Sequence, residues 1–333
     1  MRGMFAAHAD WSIDASKRFV CIARRGSKGW TVAAPVPVGA VENFLARLRL
    51  AAAGAPVALG VDFPIGLPRA YASHYADGDF PRFLRGLTQQ ADFFRVCAQL
   101  AEITPARPFY PARGIKGMTR AAHAAALGLA DAASLSRACD RATASRPAGA
   151  PLFWTLGANQ SGKAAIAAWR DMLVPALTAG DPLDLWPFAG PYRGLLAPGR
   201  VAVAETYPAE ALRHLSLRLP GSKRRQADRA ALADALRAAM AALRAQPHQA
   251  LTAAITDGFG AHADGEDRFD SLLGVLCVIN VLDGHRPDTA PDDPWLRSWE
   301  GWVLGQTDLP AAYPVSTARI SASVGNRPVA FLE

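Results

Sequence analysis

The chain has few cysteines, and none of them forms a C-x-x-C pair. Its 333 residues include Cys21, Cys97, Cys139 and Cys277, which lie far apart in the sequence. This spacing argues against a zinc site and favours reduced, buried thiols. No apolar run approaches the roughly 18 residues of a membrane span, and residues 1–9 are too short for the hydrophobic part of a secretory signal. We therefore expect a cytoplasmic protein with no membrane partner.

Two common catalytic motifs are also missing. The sequence contains neither a G-x-S-x-G elbow nor a G-x-G-x-x-G fingerprint, so it offers no case for serine hydrolysis or a dinucleotide cofactor. Half of the residues are hydrophobic, which is enough for one large domain or two ordinary ones. The formal net charge of +7 favours a polyanionic partner such as nucleic acid. Free use of arginine by a GC-rich genome explains the same charge.

The order of apolar segments predicts a mixed α/β sheet flanked by helices. Three strand-like runs open the chain, with a hairpin turn at 26–29 between the second and third. A helix of period 3.6, a buried strand and, much later, another strand follow. These segments are Met4–Ile13, Arg18–Arg24, Trp30–Val36, Val41–Ala53, Val57–Phe63 and Arg200–Glu205. Three antiparallel strands followed by parallel strands fit this order.

Residues 69–199 differ in character from the sequence on either side. They are rich in proline, glycine and aromatics and are too long for a loop. We predict an inserted, mainly helical subdomain, with Leu87–Ala101 and Ala164–Leu177 among its helices. The domain would then consist of a first part at 1–68 and a second part at 200–333, which includes a helix over Arg268–Asp283 and a C-terminal tail.

Five acidic residues occupy positions that suit a shared metal site. Asp10, Asp62 and Glu205 each close an apolar strand-like run, and Asp267 and Asp270 lie three residues apart at the start of an apolar helix. Carboxylates near a core cost free energy unless a cation compensates them. Oxygen ligands of this kind suit Mg²⁺ or Mn²⁺, whose usual chemistry is phosphoryl transfer. A turn or helix-cap role explains any one of these acids alone better than a metal does.

Side-chain periodicity places several of these acids on packed faces. Alternation along the strand puts Gly60 and Asp62 on the same side. Asp267, Asp270 and Gly274 form one stripe of the late helix. An acidic stripe that ends in glycine predicts a helix packed tightly on the sheet, with its carboxylates directed at the strand ends.

Several short motifs resemble a known family. They are Asp10–Ser12, Val61–Pro68, Glu205–Glu210, Lys223–Arg229, Asp267–Leu273 and Glu300–Val303. Together they resemble the uncharacterised proteins predicted to be ribonuclease H-like nucleases, a branch of the RNase H-like superfamily. The Asp-Phe-Pro-Ile-Gly-Leu-Pro piece at 62–68 is the most specific of them.

The resemblance implies an RNase H-like sheet and an acidic cluster for two-metal hydrolysis of phosphodiester bonds. Asp10 would be the first-strand acid, Asp62 the fourth-strand acid and Glu205 the fifth-strand acid. Asp267 and Asp270 would be the acids of the C-terminal helix, with a spacing similar to that of RuvC-type junction resolvases. The implied cofactor is Mg²⁺ or Mn²⁺, and the implied substrate is RNA or DNA.

Basic residues suggest where a substrate would bind. Lys223 and Arg229 lie in a family-like stretch and suit contacts to backbone phosphates, although a solvated helix face explains them equally well. Residues 157–164 nearly match the phosphate-binding loop, with Lys163 at the lysine position but Ala164 in place of the hydroxyl residue. Lys163 and the start of its helix would still suit an anion.

Two other functions stay open from the sequence. The near match at 157–164 favours a nucleotide- or phosphometabolite-binding phosphotransferase of the same superfamily. The third reading is a nucleic-acid-binding protein that keeps the acids only for structural reasons.

Overall fold

The structure is a computed structural model that describes residues 3–75, 78–156 and 161–310. Within these residues eight strands form one sheet, in the order β6-β7-β5-β1-β2-β3-β8, with β4 pairing with β2. The strands are β1 (Phe5–Asp10), β2 (Phe19–Gly26), β3 (Gly29–Val32), β4 (Val36–Pro37), β5 (Val57–Val61), β6 (Leu183–Leu185), β7 (Val201–Glu205) and β8 (Ala245–Pro247).

Helices lie on both faces of this sheet. In the described residues they are α1 (Phe44–Ala51), α2 (Arg69–Ala72), α3 (Phe80–Gly86), α4 (Arg120–Ala126), α5 (Ser161–Ala168), α6 (Val174–Ala179), α7 (Pro208–His214), α8 (Gln226–Ala230), α9 (Ala233–Ala242), α10 (Gln249–Thr256) and α11 (Gly265–Leu282). Short 3-10 turns occur between them, and π-helical turns cover 169–173 and 296–300. None of these helices is long and apolar enough to cross a bilayer.

The predicted mixed sheet is confirmed. Strands β1, β2 and β3 form an antiparallel meander, β5 lies parallel to β1, and β7 lies parallel to β5. Since β1, β5 and β7 run in the same direction, their carboxyl ends meet at one edge of the sheet. Asp10, Val61 and Glu205 close these three strands, so that this edge collects three of the predicted acids or their immediate neighbours.

Strand register assigns these residues to opposite faces. His8, Gly60 and Ala204 are register partners and point to one side. That side packs on α11, which lies across β1, β2 and β5. Ala9, Val61 and Glu205 are also partners, one residue further along, and they point to the other side. Asp10 and Asp62 each lie two residues after His8 and Gly60 and therefore share their face. Glu205 lies on the opposite face of the sheet.

The segment 69–199 covers the second face of the sheet. Its aromatic side chains, such as Phe93, Phe109 and Trp169, belong to one buried cluster with Val61 and Val203 of the sheet. The segment also supplies β6, which pairs with β7 at the edge of the sheet. The division of the chain at 69 and 199 stays a prediction, and the structure adds that this segment shares its core with the sheet.

The helix predicted over Leu87–Ala101 is wrong. The structure has three short 3-10 turns there, at 87–89, 91–94 and 100–102. Cys97 donates its N–H to Phe109 O (2.7 Å) and accepts at its carbonyl from Ala112 N (2.8 Å), so it has no helical partners. Tertiary hydrogen bonds and the burial of Phe93 therefore override the local helical preference.

Candidate metal centre

Asp10 and Asp62 lie side by side at the sheet edge. Asp10 is the last residue of β1, and Asp62 follows β5 directly, where Ala9 pairs with Val61. The two carboxyl groups hydrogen-bond to each other, with Asp10 holding the proton. Asp62 Oδ1 also accepts from Trp11 N at 2.6 Å. The backbone of the first strand thus orients the second acid.

Helix α11 brings two further carboxylates to the same place. A side chain at Gly274 would overlap the buried His8 ring, so only glycine lets the helix lie this close to β1. Burial lowers the pKa of His8 to about 3, so that ring is neutral and serves packing. Asp270 lies one turn before Gly274, and Asp267 lies nearly one turn before Asp270. The predicted tight packing of an acidic stripe is what the helix shows.

Some oxygens in this group are buried without a hydrogen-bond partner. They are Oδ2 of Asp267 and Oδ1 of Asp270. Asp270 is 5% exposed and Asp10 is 6% exposed. A buried carboxylate oxygen that lacks a donor costs free energy of about 1–3 kcal/mol or more. The aspartate group, defined as Asp10, Asp62, Asp267 and Asp270, therefore has unmet demand for positive charge.

The pKa values of the aspartate group reflect this shortage. Burial, followed by the charges of Asp62 and Asp270, raises the pKa of Asp10 well above its ordinary range. Burial also raises the pKa of Asp62, to about 7, and that of Asp267, to about 6. Asp62 is the acceptor in its hydrogen bond with Asp10, which holds its pKa down. Four acids this close resist ionisation together, and a bound cation would relieve that resistance.

One lysine partly compensates the aspartate group. Lys223 lies in the turn before α8, donates from Nζ to Asp270 Oδ2 and lies 3.5 Å from Glu266 Oε1. Burial lowers the pKa of Lys223, but Asp270, Glu266 and Asp10 outweigh that effect, so its pKa is raised and it stays cationic. The side chain is 41% exposed. Lys223, predicted to bind substrate, therefore contacts the acids themselves.

Arg229, the second predicted phosphate contact, is buried. Its guanidinium donates from Nε to Gly258 O (2.8 Å), from Nη2 to Gly260 O (2.7 Å) and from Nη1 to Lys223 O. The residue is 2% exposed. The structure therefore places Arg229 beneath the Lys223 turn, where it holds backbone carbonyls and does not present its charge to a ligand.

Glu205 does not join the aspartate group. It lies on the opposite face, where Arg137 Nη1 and Nη2 donate to its two oxygens, both at 2.6 Å, and Ile65 N donates to Oε2 at 2.7 Å. Arg137 also donates from Nε and Nη2 to the two oxygens of Asp140, each at 2.9 Å. Both carboxylates and the guanidinium are buried. We call Arg137, Asp140 and Glu205 the arginine clamp.

Two residues of the arginine clamp also belong to the one trio in the described part of the chain whose ligand atoms lie close enough together to hold a metal ion. Cys139, Asp140 and Glu205 each offer a ligand atom, and these atoms lie within 4.8 Å of one another. However, the Arg137 guanidinium already binds both carboxylates bidentately, which is a strong and specific pairing. Burial raises the pKa of the Cys139 thiol, which keeps it protonated. This trio therefore has its cation from the protein.

The segments at 61–68 and 299–301 together hold the loop after Asp62 in place. Leu67 N donates to Trp299 O at 2.7 Å. A side chain at Gly66 would overlap the Glu300 carbonyl, and one at Gly301 would overlap the Ile65 carbonyl. Gly66 and Gly301 also have φ of 142° and 69°, which favours glycine. The pieces at 61–68 and 300–303, distant in sequence, thus form one backbone contact.

The predicted anion site at Lys163 is only partly described. Residues 157–160, the first half of the phosphate-loop match, lie outside the described residues. Lys163 lies half-buried in α5. The strand expected just before the loop is not formed in the described residues 151–156, where Trp154 makes a single bridge to Tyr110. The described residues therefore lack the strand that precedes a phosphate loop.

Three residues of the site escaped the sequence predictions. Lys17, exposed in the turn after β1, acts electrostatically on Asp267, and Glu266 contacts Lys223. Arg137 has no pattern around it that would predict its pairing with Glu205. Lys17 and Glu266 had a signal, since each lies within seven residues of a predicted acid in the sequence.

Comparisons of this chain with protein-family models, curated proteins and solved structures gave no match. The site must therefore be interpreted from its own chemistry. Four carboxylates form a set of hard oxygen donors that suits Mg²⁺ or Mn²⁺. Two buried oxygens without a donor would accept such a cation, but in the described residues only Cys139, Asp140 and Glu205 already bring their ligand atoms within 4.8 Å of one another, so binding by the four aspartates requires their side chains to close around the ion. The donor set and the unmet charge agree with each other.

Proposed function

We propose that this chain is an RNase H-like nuclease that needs a divalent cation to hydrolyse phosphodiester bonds of nucleic acid. The observation that carries the proposal is the aspartate group, in which four carboxylates meet at one sheet edge with Lys223 as the cation in direct contact. The strand order supports it, because three antiparallel strands followed by parallel strands are what the family resemblance implies.

The aspartates would hold the cation at the carboxyl ends of β1 and β5. A divalent cation bound there would polarise the phosphodiester and promote ionisation of a water molecule. The residues of the chain prepare that position. Trp11 N fixes the Asp62 carboxylate from below. A cation held there would favour the ionised forms of Asp10 and Asp62, whose pKa values are raised by burial and by neighbouring carboxylates.

Exposed basic side chains beside the aspartate group would hold the nucleic-acid backbone. Lys17 lies on the Asp267 side, where its charge lowers the pKa of that acid. Arg224 is 77% exposed and lies 3.8 Å from Glu266. Phosphate contacts of this kind position a strand without reading its sequence. They suit a substrate that lies across the sheet edge between the β1 turn and the Lys223 turn.

The test is cleavage by the purified protein. We expect RNA, DNA, hybrid or junction substrates to be cut with Mn²⁺ and not with EDTA. Asp62→Asn should lower the cleavage rate by at least about 100-fold. Loss of a residue that only orients a metal ligand already costs up to about 100-fold in activity. Asp234→Asn is the matched control, because that carboxylate lies in α9 with its side chain 99% exposed. The proposal fails if the wild type cuts none of these substrates or if Asp62→Asn cuts as well as Asp234→Asn.

A further inference from the structure

The ammonium of Lys223 lies where a cation is needed. Nζ contacts Asp270 Oδ2, lies 3.5 Å from Glu266 Oε1 and acts electrostatically on both Asp62 and Asp10. It thus touches α11 and reaches the acids of both strand ends. A surface lysine with a solvated role would have no such convergence of buried carboxylates around it.

The backbone beneath Lys223 is built to keep it there. The buried Arg229 guanidinium donates to the Lys223 carbonyl and also to the carbonyls of Gly258 and Gly260, the loop that leads into α11. One side chain therefore joins the Lys223 turn to the entrance of the helix that carries Asp270. The Arg229 guanidinium thus holds the Lys223 turn beside the start of α11 through three hydrogen bonds that it donates.

Lys223 compensates the negative charge of only part of the aspartate group. It occupies Oδ2 of Asp270, whereas Oδ1 of Asp270 and Oδ2 of Asp267 remain buried without a donor. A two-ion arrangement would require the four aspartates to satisfy two divalent charges beside this ammonium. Cations in such proximity repel each other strongly in a partly buried site.

We propose that Lys223 is a resident cation that takes the place of one of two metal ions, so that the aspartate group binds a single Mg²⁺ or Mn²⁺. The inference rests on the proposed function for the identity of the ion. It changes the role of Lys223 from a substrate contact to a positioning residue that sets the metal stoichiometry. The fixed charge of +1 then supplies half the charge of the ion that it replaces, without the cost of binding a second ion.

The test counts bound Mn²⁺ by equilibrium dialysis with electron paramagnetic resonance, without substrate. We expect one Mn²⁺ per wild-type chain and two per chain of Lys223→Met at saturating metal. Lys223→Arg keeps the charge and should stay at one. Lys28→Met is the matched control, since this exposed lysine lies in the β2–β3 turn, away from the aspartate group, and the variant should also stay at one. If Lys223→Met does not fold, Lys223→Gln takes its place, because it also removes the charge and should bind two.

Each outcome separates the two proposals. Two Mn²⁺ ions on the wild type, none on the wild type, or a folded Lys223→Met chain that still binds one would each overturn the resident-cation inference. Cleavage with two bound ions would keep the nuclease and remove the inference. One bound Mn²⁺ on the wild type and two on Lys223→Met, without any cleavage, would keep the resident-cation inference and remove the nuclease proposal.

Discussion

Two groups of buried carboxylates lie at the carboxyl ends of neighbouring strands, on opposite faces of the same sheet. The arginine clamp has two carboxylates on one guanidinium, with four hydrogen bonds between 2.6 and 2.9 Å. The aspartate group has four carboxylates, one partly exposed lysine in direct contact and two buried oxygens without a donor. Every carboxylate oxygen of the arginine clamp has a hydrogen-bond donor, whereas two buried oxygens of the aspartate group have none.

The contrast shows that position at a strand end does not make an acid functional. Glu205 pairs with Val61 in the register, whereas Asp62 follows one residue later and faces α11. The clamp satisfies the hydrogen bonding of its two carboxylates within the protein and so stabilises the fold. A group that retains its charge deficit at some cost to stability is the better candidate for binding a ligand.

The largest expected effect comes from a substitution that breaks the arginine clamp. Arg137→Met would leave Asp140 and Glu205 buried without their cation, and removal of one member of a buried pair costs about 3–5 kcal/mol. We expect the free energy of unfolding, measured by urea denaturation, to fall by this amount. Arg224→Met, a change at an exposed arginine, should leave it within about 0.5 kcal/mol of the wild type. Equal stability of the two variants would contradict the view of the clamp as structural.

A smaller effect is expected in the aspartate group, where stability should depend on pH. Asp62 has a folded pKa of about 7 against an ordinary 3.8, so its stabilising contribution is full below pH 3.8 and is lost as the pH rises through 7. Without metal, the free energy of unfolding of Asp62→Asn should therefore rise relative to that of the wild type between pH 5 and 8. The expected rise is about 1–2 kcal/mol, which allows for the partial exposure of Asp62.

This measurement is made as a difference between two proteins for a specific reason. Burial lowers the pKa of His8, His123 and His214 to about 3, 4 and 4, so these residues destabilise the fold as the pH falls below their ordinary 6.5. Both proteins contain them, and their contribution cancels. A difference in unfolding free energy that stays flat from pH 5 to 8 would mean that Asp62 titrates as an ordinary acid.

The smallest effect concerns the rim of the aspartate group. Lys17→Ala should weaken nucleic-acid binding a few-fold and reduce the slope of log affinity against log salt by about 1, as expected for one phosphate contact. Lys28→Ala is the control, because Lys28 is exposed in the β2–β3 turn at the far end of the sheet. Identical salt slopes for the two variants would remove Lys17 from the substrate path.

Much of the fold could be predicted from the sequence because it depends on local patterns. The opening meander follows from apolar runs around a turn, and the approach of α11 follows from the spacing of Asp267, Asp270 and Gly274. The face of Glu205 could not be predicted, because a shift of one residue in register reverses it and no local signal fixes the register. Arg137 lies just before a 3-10 turn, and only the tertiary structure brings it to Glu205.

The contact between Gly66 and Gly301 has a consequence for how the molecule is made. The loop that follows Asp62 rests on the backbone at 299–301, more than two hundred residues later in the chain. A nascent polypeptide therefore carries Asp10 and Asp62 out of the ribosome long before their supporting segment is synthesised. Its sheet has strands to pair early, but the loop beside its acids gains its final support only after residues 299–301 have been synthesised.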